Sequence, residues 1–170
     1  MQTAPDLAVR IPGVLLKFLE RASIAYAATR DRQLAPAFHW LSGWVAVAEG
    51  HGLEVFVARP FEASLLQNVE HSPRLAVTIE HIGPHETYQF KGHYAGSRPP
   101  DARDRQRAEA CADRAMAAIL QIEQRFAFDT VQLRRYLGTP ALVVRLGVEE
   151  IFLQTPGPGA GRRLVPSEKP

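Results

Sequence analysis

A short segment that joins a predicted strand to a predicted helix carries the residues best suited to hold an anion. Arg59 supplies a positive charge and Ser64 supplies a hydroxyl group close to the start of that helix. The first backbone N–H groups of a helix have no intrahelical partner, so a helix N-terminus favours a phosphate or a carboxylate. The segment therefore predicts an anion site. A solvated surface arginine and an ordinary helix-start serine are the alternatives.

Aromatic and polar side chains on two predicted strands could border a bound organic molecule. His39 and Trp40 are neighbours on one strand, and Thr87 and Gln89 lie on another. Side chains two positions apart point to the same face of a strand, so Thr87 and Gln89 share a face. Each pair could contact a ligand. A tryptophan on a strand is also typical of a core, and a polar strand face is also typical of a wet sheet surface.

Other reactive side chains do not form a recognisable catalytic or metal motif. His81 and His85 flank a predicted turn and His93 follows, but zinc needs three or four convergent ligands and this spacing matches no strong zinc motif. Cys111 lies in the apolar stripe of a predicted helix, which favours buried packing. The sequence contains no nucleophile elbow, dinucleotide-binding glycine pattern or phosphate loop. We expect no metal site, and the sequence assigns no catalytic residue.

The elements that would position the candidate residues centre on residues 53–96. Residues 53–58 form a short apolar run rich in β-branched and aromatic side chains, which is typical of a strand. Residues 62–69 predict a short helix, which ends before Pro73 because the residue preceding a proline avoids the α region. Two further strands, 74–80 and 86–96, are separated by a turn.

Flanking segments complete a mainly β chain with helices on its outside. The pattern predicts a helix over 12–22, a strand over 24–29 and a strand over 35–41, which residues 44–48 either continue or pair with. It also predicts a long helix over 102–126 capped by Asp101, a short helix over 130–137, and a last strand over 141–153 with an irregularity near Gly147. We expect a single domain over 12–155. It is preceded by a loose leader over 1–11 and followed by a flexible Pro/Gly-rich tail over 156–170.

The bulk properties limit the possible partners and compartments. The chain has 170 residues and a formal net charge of +2, which is too small to indicate nucleic-acid binding. No apolar run approaches the roughly 20 residues that span a bilayer, and the first residues lack the pattern of a secretory signal. Cys111 is the only cysteine, which fits a reducing compartment. We expect a cytoplasmic protein that binds neither nucleic acid nor a membrane.

The order of these elements also carries a family resemblance. The strand over 53–58, the helix around 64–68 that leads into Ser72-Pro73-Arg74-Leu75-Ala76-Val77, and the run Tyr88-Gln89-Phe90-Lys91-Gly92 together resemble the flavin-binding split-barrel family, the relatives of pyridoxamine 5'-phosphate oxidase. The resemblance spans residues 14–153. It implies a split β-barrel with flanking helices, of the FMN-binding type, that assembles as a homodimer and holds FMN in the seam between its two copies.

The resemblance also implies roles for particular residues. Backbone groups of Val57 and Ala58 would hold the flavin ring, Arg59 and Ser64 would hold its phosphate, and the ring or the substrate would be bordered by His39, Trp40, Thr87 and Gln89.

The start of the predicted helix departs from the family pattern. The family usually carries a lysine, often beside an arginine, where this chain has Ala63 and Ser64, and Glu62 adds a negative charge there. The first expectation is an FMN-dependent oxidoreductase that acts on a small molecule. The alternative is a non-catalytic dimeric split-barrel protein that binds another small ligand.

Overall fold

A computed structural model describes residues 9–47, 50–122 and 130–165. Four helices and seven strands follow one another along these residues: α1 Gly13–Arg21, β1 Ile24–Arg30, β2 Pro36–Ala46, β3 Gly52–Ala58, α2 Glu62–His71, β4 Arg74–His81, β5 Glu86–Arg98, α3 Ala102–Ile122, α4 Thr130–Gly138, β6 Pro140–Leu153 and β7 Arg163–Val165. None of the described helices is both long and apolar enough to cross a lipid bilayer.

Six of the strands close into an antiparallel barrel. The strand order is β3-β2-β1-β4-β5-β6-β7, and a further pairing between β3 and β6 joins the two sides of the sheet. Every neighbouring pair is antiparallel, and β7 pairs only with β6. Closure leaves the barrel strands without an open edge. The expected split β-barrel with flanking helices is confirmed.

Alternating side chains fill the barrel, and two helices close its ends. Inward-facing apolar residues of every barrel strand form one buried cluster, in which Phe90 is completely buried. Helix α1 packs Phe18 into one end, and the indole nitrogen of Trp44 donates a hydrogen bond of 3.0 Å to the Leu19 carbonyl. Helix α2 covers the opposite end with Leu65 and Val69. These buried apolar faces explain why both short helices are stable.

Helices α3 and α4 lie against the outside of the barrel. Ala108 of α3 packs on Phe56 and Val143, and small side chains further along α3 pack beside Trp40. The start of α3 is a reciprocal cap, because the backbone N–H of Asp104 donates to the Asp101 carboxylate while the N–H of Asp101 donates to the Asp104 carboxylate, both at 2.9 Å. Asp101 therefore caps this helix as the sequence predicts. The expected continuation of α3 over 123–126 lies outside the described residues.

Two terminal segments differ from expectation. Residues 9–11 were predicted to belong to a loose leader, but Ile11 is only 1% exposed and Val9 donates a backbone hydrogen bond to Val148. The predicted tail also folds back on the barrel, since Gly161 donates to the Leu153 carbonyl before β7 pairs with β6. These backbone hydrogen bonds order segments whose composition alone favours disorder.

Candidate functional site

A row of side chains crosses the outer face of the barrel. Trp40 pairs with Tyr26, Tyr26 pairs with Thr78, and Thr78 pairs with Gln89 across three adjacent strand ladders. Neighbouring strands lie about 4.8 Å apart, so the row spans about 14 Å. The Gln89 amide donates to the Thr78 hydroxyl at 3.2 Å, which fixes its orientation on this face. We call these four residues the outer row.

Aromatic rings extend the outer row toward the start of β2. The Phe38 ring lies 5.2 Å from that of Tyr26 and 5.3 Å from that of Trp40. Phe38 remains 47% exposed. Trp40 sits at the margin of these helices and packs partly against Leu137. Trp40 therefore has both a structural role and an edge that adjoins the exposed aromatic surface.

Cations lie alongside the outer row, displaced from it along strands β1, β4 and β5. A groove of about 510 Å³ is lined by Arg30, Arg74 and Lys91 together with two glutamates. Lys91 follows Gln89 by two positions, so both side chains are on the same face about 7 Å apart along the strand. Arg74 is ion-paired with Glu149, and the Lys91 ammonium lies 4.5 Å from the Phe152 ring centroid. This groove gives the outer face a positive margin.

A second positively charged groove lies beside the start of α2. Arg59 and Arg135 line it with Thr139, and its volume is about 410 Å³. The Arg59 side chain is 67% exposed and lies 3.8 Å from one oxygen of Glu62. The other Glu62 oxygen is buried and has no hydrogen-bond partner among the described residues. Arg59 is thus accessible to an anion, but a carboxylate already competes for it.

His39 lies inside the barrel rather than on the outer face. Its Nε2 atom is 2.8 Å from the Thr29 hydroxyl, which also accepts a hydrogen bond of 2.8 Å from Asn68. The Ser64 hydroxyl donates to the Phe61 carbonyl at 3.1 Å and lies 3.4 Å from the His39 ring. Burial lowers the pKa of His39, and a hydrogen bond to the Phe61 backbone opposes that effect. His39 and Ser64 therefore join α2 to the barrel.

The remaining expected contacts are also engaged within the fold. Strand β3 lies between β2 and β6, so Val57 has a ladder partner on each side. The Ala58 carbonyl accepts a hydrogen bond of 2.9 Å from Phe61. The Thr87 hydroxyl donates to the His85 carbonyl, and the Thr87 backbone N–H donates to the Thr155 hydroxyl. Of the eight expected site residues, Trp40 and Gln89 belong to the outer row, and Arg59 lies in a groove beside it.

Two of the three histidines on β4, β5 and the turn between them, His85 and His93, pair with separate carboxylates. His85 lies 3.2 Å from Glu80, and His93 lies 3.0 Å from Glu149. Within the described ranges, no group of three or more histidine, cysteine or carboxylate side chains is arranged to hold a metal ion.

Sequence reasoning missed several members of this surface, among them Tyr26 and Thr78 of the outer row and Arg135 of the groove. Tyr26 was placed on a strand, and the alternation of that strand could have indicated an outward ring beside Trp40. Arg135 carried no such signal, because only the packing of α4 brings it to the groove that holds Arg59. The outer row itself depends on the strand register, which the sequence does not state.

Comparison with solved structures supports the fold. A HupZ protein of Group A Streptococcus superposes with a TM-score of 0.52 at 15% identity, covering 89% of this chain and 99% of that chain. A putative pyridoxamine 5'-phosphate oxidase of Lactobacillus delbrueckii gives a TM-score of 0.49 at 15% identity, over 84% and 93% of the two chains. A pyridoxamine 5'-phosphate oxidase-related, FMN-binding protein of Nostoc punctiforme gives 0.45 at 15% identity, over 94% and 89%.

No protein-family model and no curated protein matches the chain. The structural likeness agrees with the sequence resemblance on the fold, a split barrel with flanking helices. At this sequence identity the likeness concerns the architecture alone.

Proposed function

We propose that this protein is an FMN-dependent oxidoreductase that acts on a small molecule, with the flavin ring lying over the outer row. The observation that carries the proposal is the row itself. Aromatic side chains at Trp40 and Tyr26 and a fixed amide at Gln89 share one face. One groove with cations lies beyond the Trp40 end of the row, and another runs alongside the row as far as Lys91. An aromatic ring system with an anionic tail complements such a surface.

The residues fit the cofactor in part. Trp40 would border the ring, Gln89 would offer an amide to its polar edge, and Arg59 with Arg135 would hold the phosphate near the first N–H groups of α2. Bound FMN would supply hydride or electron transfer, while the protein orients it and excludes water. His39, Ser64 and Thr87 are not part of the proposed site because their polar atoms are already engaged.

Titration with FMN and with riboflavin tests the phosphate contact directly. Riboflavin has the same ring but lacks the phosphate. Loss of one charge-assisted contact in Arg59→Ala should weaken FMN binding by about 1.5–3 kcal/mol and leave riboflavin binding unchanged. Arg145→Ala is the matched control, since Arg145 is an exposed arginine that pairs with Glu54 elsewhere on the barrel. No FMN binding by the wild type would overturn the proposal, and equal FMN affinity in Arg59→Ala would remove Arg59 from it.

The competing carboxylate gives a second test in the opposite direction. Glu62 lies close to Arg59 and places negative charge at the start of α2. Glu62→Gln should therefore tighten FMN binding and leave riboflavin binding unchanged. Unchanged FMN binding in this variant would show that the phosphate lies elsewhere.

We also propose that the working unit is a homodimer, with the exposed aromatic surface in the seam. Phe38 is a large exposed side chain beside Tyr26 and Trp40, and a second copy could cover it. Light scattering after size-exclusion chromatography should return twice the chain mass for the wild type and a lower mass for Phe38→Asp. An exposed control, Val131→Asp on α4, should leave the mass unchanged. A monomeric wild type at micromolar concentration would contradict the dimer.

A non-catalytic scaffold that binds another small ligand is the second candidate. Glu62 favours it, because a carboxylate beside Arg59 opposes a phosphate. The two candidates differ in a thermal-unfolding measurement. A flavin at 100 times its dissociation constant should stabilise the fold by about 2.7 kcal/mol. A colourless protein that added FMN does not stabilise would favour the scaffold.

A further inference from the structure

A cavity of about 450 Å³ lies between α1, the end of β2 and α3, at the barrel end opposite α2. Leu16 and Leu19 of α1 and Trp44 of β2 form much of its apolar lining. Helix α3 contributes Arg107, Ala110, Cys111 and Arg114, which are spaced i, i+3, i+4 and i+7 and so share one helix face. The volume is in the range of small-molecule sites.

Arg114 is held inside this cavity without a counter-ion. Its Nε donates to the Ala22 carbonyl at 3.2 Å, and its Nη2 lies 3.0 Å from the Cys111 sulfur. Across residues 9–47, 50–122 and 130–165, no carboxylate forms an ion pair with it and Nη1 has no hydrogen-bond partner. Burial raises the pKa of the Cys111 thiol, so the thiol stays neutral and provides no negative charge. A partly buried guanidinium of this kind favours an added anion.

The charges around the cavity determine which end of a ligand faces α3. Arg107 adds a second cation on the α3 side, where it is 49% exposed and 3.9 Å from Asp104. Glu20 lies on the α1 side and has no ion pair with a described residue. An anionic group is therefore attracted toward α3, while a second negative charge on the same ligand would be repelled by Glu20.

We propose that this cavity binds a small organic monoanion, with its carboxylate on Arg114 and its apolar body between α1 and Trp44. The cavity lies apart from the outer row, so the proposal does not depend on flavin binding.

Octanoate and octan-1-ol are suitable probes because they share an apolar chain and differ in charge. Trp44 lines the cavity. Trp40→Phe removes the other tryptophan, so the remaining tryptophan emission comes from Trp44 and reports whether the cavity is occupied. Octanoate should change this emission in a saturable way and bind at least 10-fold more tightly than octan-1-ol. Arg114→Gln should weaken octanoate binding by about 10-fold or more and leave octan-1-ol unchanged. The control Arg145→Gln, which changes an exposed arginine that does not line the cavity, should leave both affinities unchanged.

A second variant tests the cavity while it keeps Arg114. Ala110 is exposed on α3, so Ala110→Phe should fold normally and place a ring in the cavity. Binding of both probes should then be lost, with thermal unfolding little changed. The proposal is overturned if octanoate leaves Trp44 emission unchanged at millimolar concentration. It is also overturned if Arg114→Gln binds octanoate as the wild type does, or if Ala110→Phe keeps both affinities.

Discussion

The buried histidine beneath α2 predicts how the stability of the fold depends on pH. His39 is completely buried, and its neutral ring is held by the Thr29 hydroxyl and by the start of α2. Burial lowers its pKa below the ordinary value of 6.5. The unfolded chain therefore binds a proton near pH 6.5 that the folded chain does not bind. This difference favours folding fully above pH 6.5, and the benefit is lost as the pH falls from there toward the folded pKa.

The expected magnitude follows from proton linkage. One proton bound by the unfolded chain alone gives a slope of about 1.4 kcal/mol per pH unit in the free energy of unfolding. Urea denaturation at pH 7.5, 6.5 and 5.5 should show the wild type losing stability below pH 6.5, with this slope as the upper limit for one proton. In His39→Gln the same part of the slope should vanish. That variant should also be less stable at pH 7.5 by about 1–3 kcal/mol, since the buried Thr29 hydroxyl loses a well-placed partner.

A histidine on the surface of the same helix provides the control. His71 is exposed at the end of α2, so His71→Gln should keep the pH dependence of the wild type. The reasoning is refuted if His39→Gln retains the full slope, or if His71→Gln abolishes it. Either result would mean that the pH dependence does not come from the proton excluded at His39.

Two further predictions concern backbone packing and a helix cap, and a third concerns an ion pair. A Cβ added at Gly92 would lie 1.8 Å from the Gly147 carbonyl oxygen, so Gly92→Ala should lower the free energy of unfolding by at least about 3 kcal/mol in urea denaturation. A Cβ added at Gly83 would meet open space, so the control Gly83→Ala should change the free energy of unfolding by less than about 0.5 kcal/mol. Asp101→Ala should remove about 1 kcal/mol by uncapping α3, and exposed Glu109→Ala should not; equal effects would contradict the cap. The Arg98 guanidinium lies 2.5 Å from the Asp104 carboxylate and lowers the pKa of that carboxyl. The ion pair between them therefore stabilises the fold above pH 3.8, and this stabilisation is lost as the pH falls through the lowered pKa. Asp104→Asn should be less stable than the wild type at pH 7, and that difference should shrink in acid.

The fold could be predicted from the sequence because its strands alternate and its helices have apolar faces. The predicted final strand over 141–153 corresponds to β6, and its irregularity is a register shift at Gly92, opposite Val148. Val9 and Ile11 were missed because a short extended segment has no period to read, and its burial depends on Val148 and Gly50 far along the chain. The segment before β7 was missed for the same reason.

The site was less predictable, although one part of the error could have been avoided. His39 and Trp40 are adjacent on β2, so their side chains must point to opposite faces and could not both border one ligand. The Trp40 side chain lies on the outer face of the barrel, and the His39 side chain lies inside the barrel. Which face holds ligand contacts depends on barrel closure and on where α3 and α4 pack, and neither is written in the local pattern.

The two positively charged grooves allow opposite orientations of a flavin on the outer row. Arg59 follows β3 and lies beyond the Trp40 end, whereas Lys91 lies on β5 beside the Gln89 end. The helix start favours the phosphate at Arg59, but Glu62 opposes it there, while Lys91 is already stacked on an aromatic ring. If the phosphate lies at Arg59, Arg59→Ala should weaken FMN binding much more than Lys91→Ala, with riboflavin affinity unchanged in both variants. If Lys91→Ala weakens FMN binding more than Arg59→Ala does, the phosphate lies beside β5 and the flavin ring has the opposite orientation on the outer row.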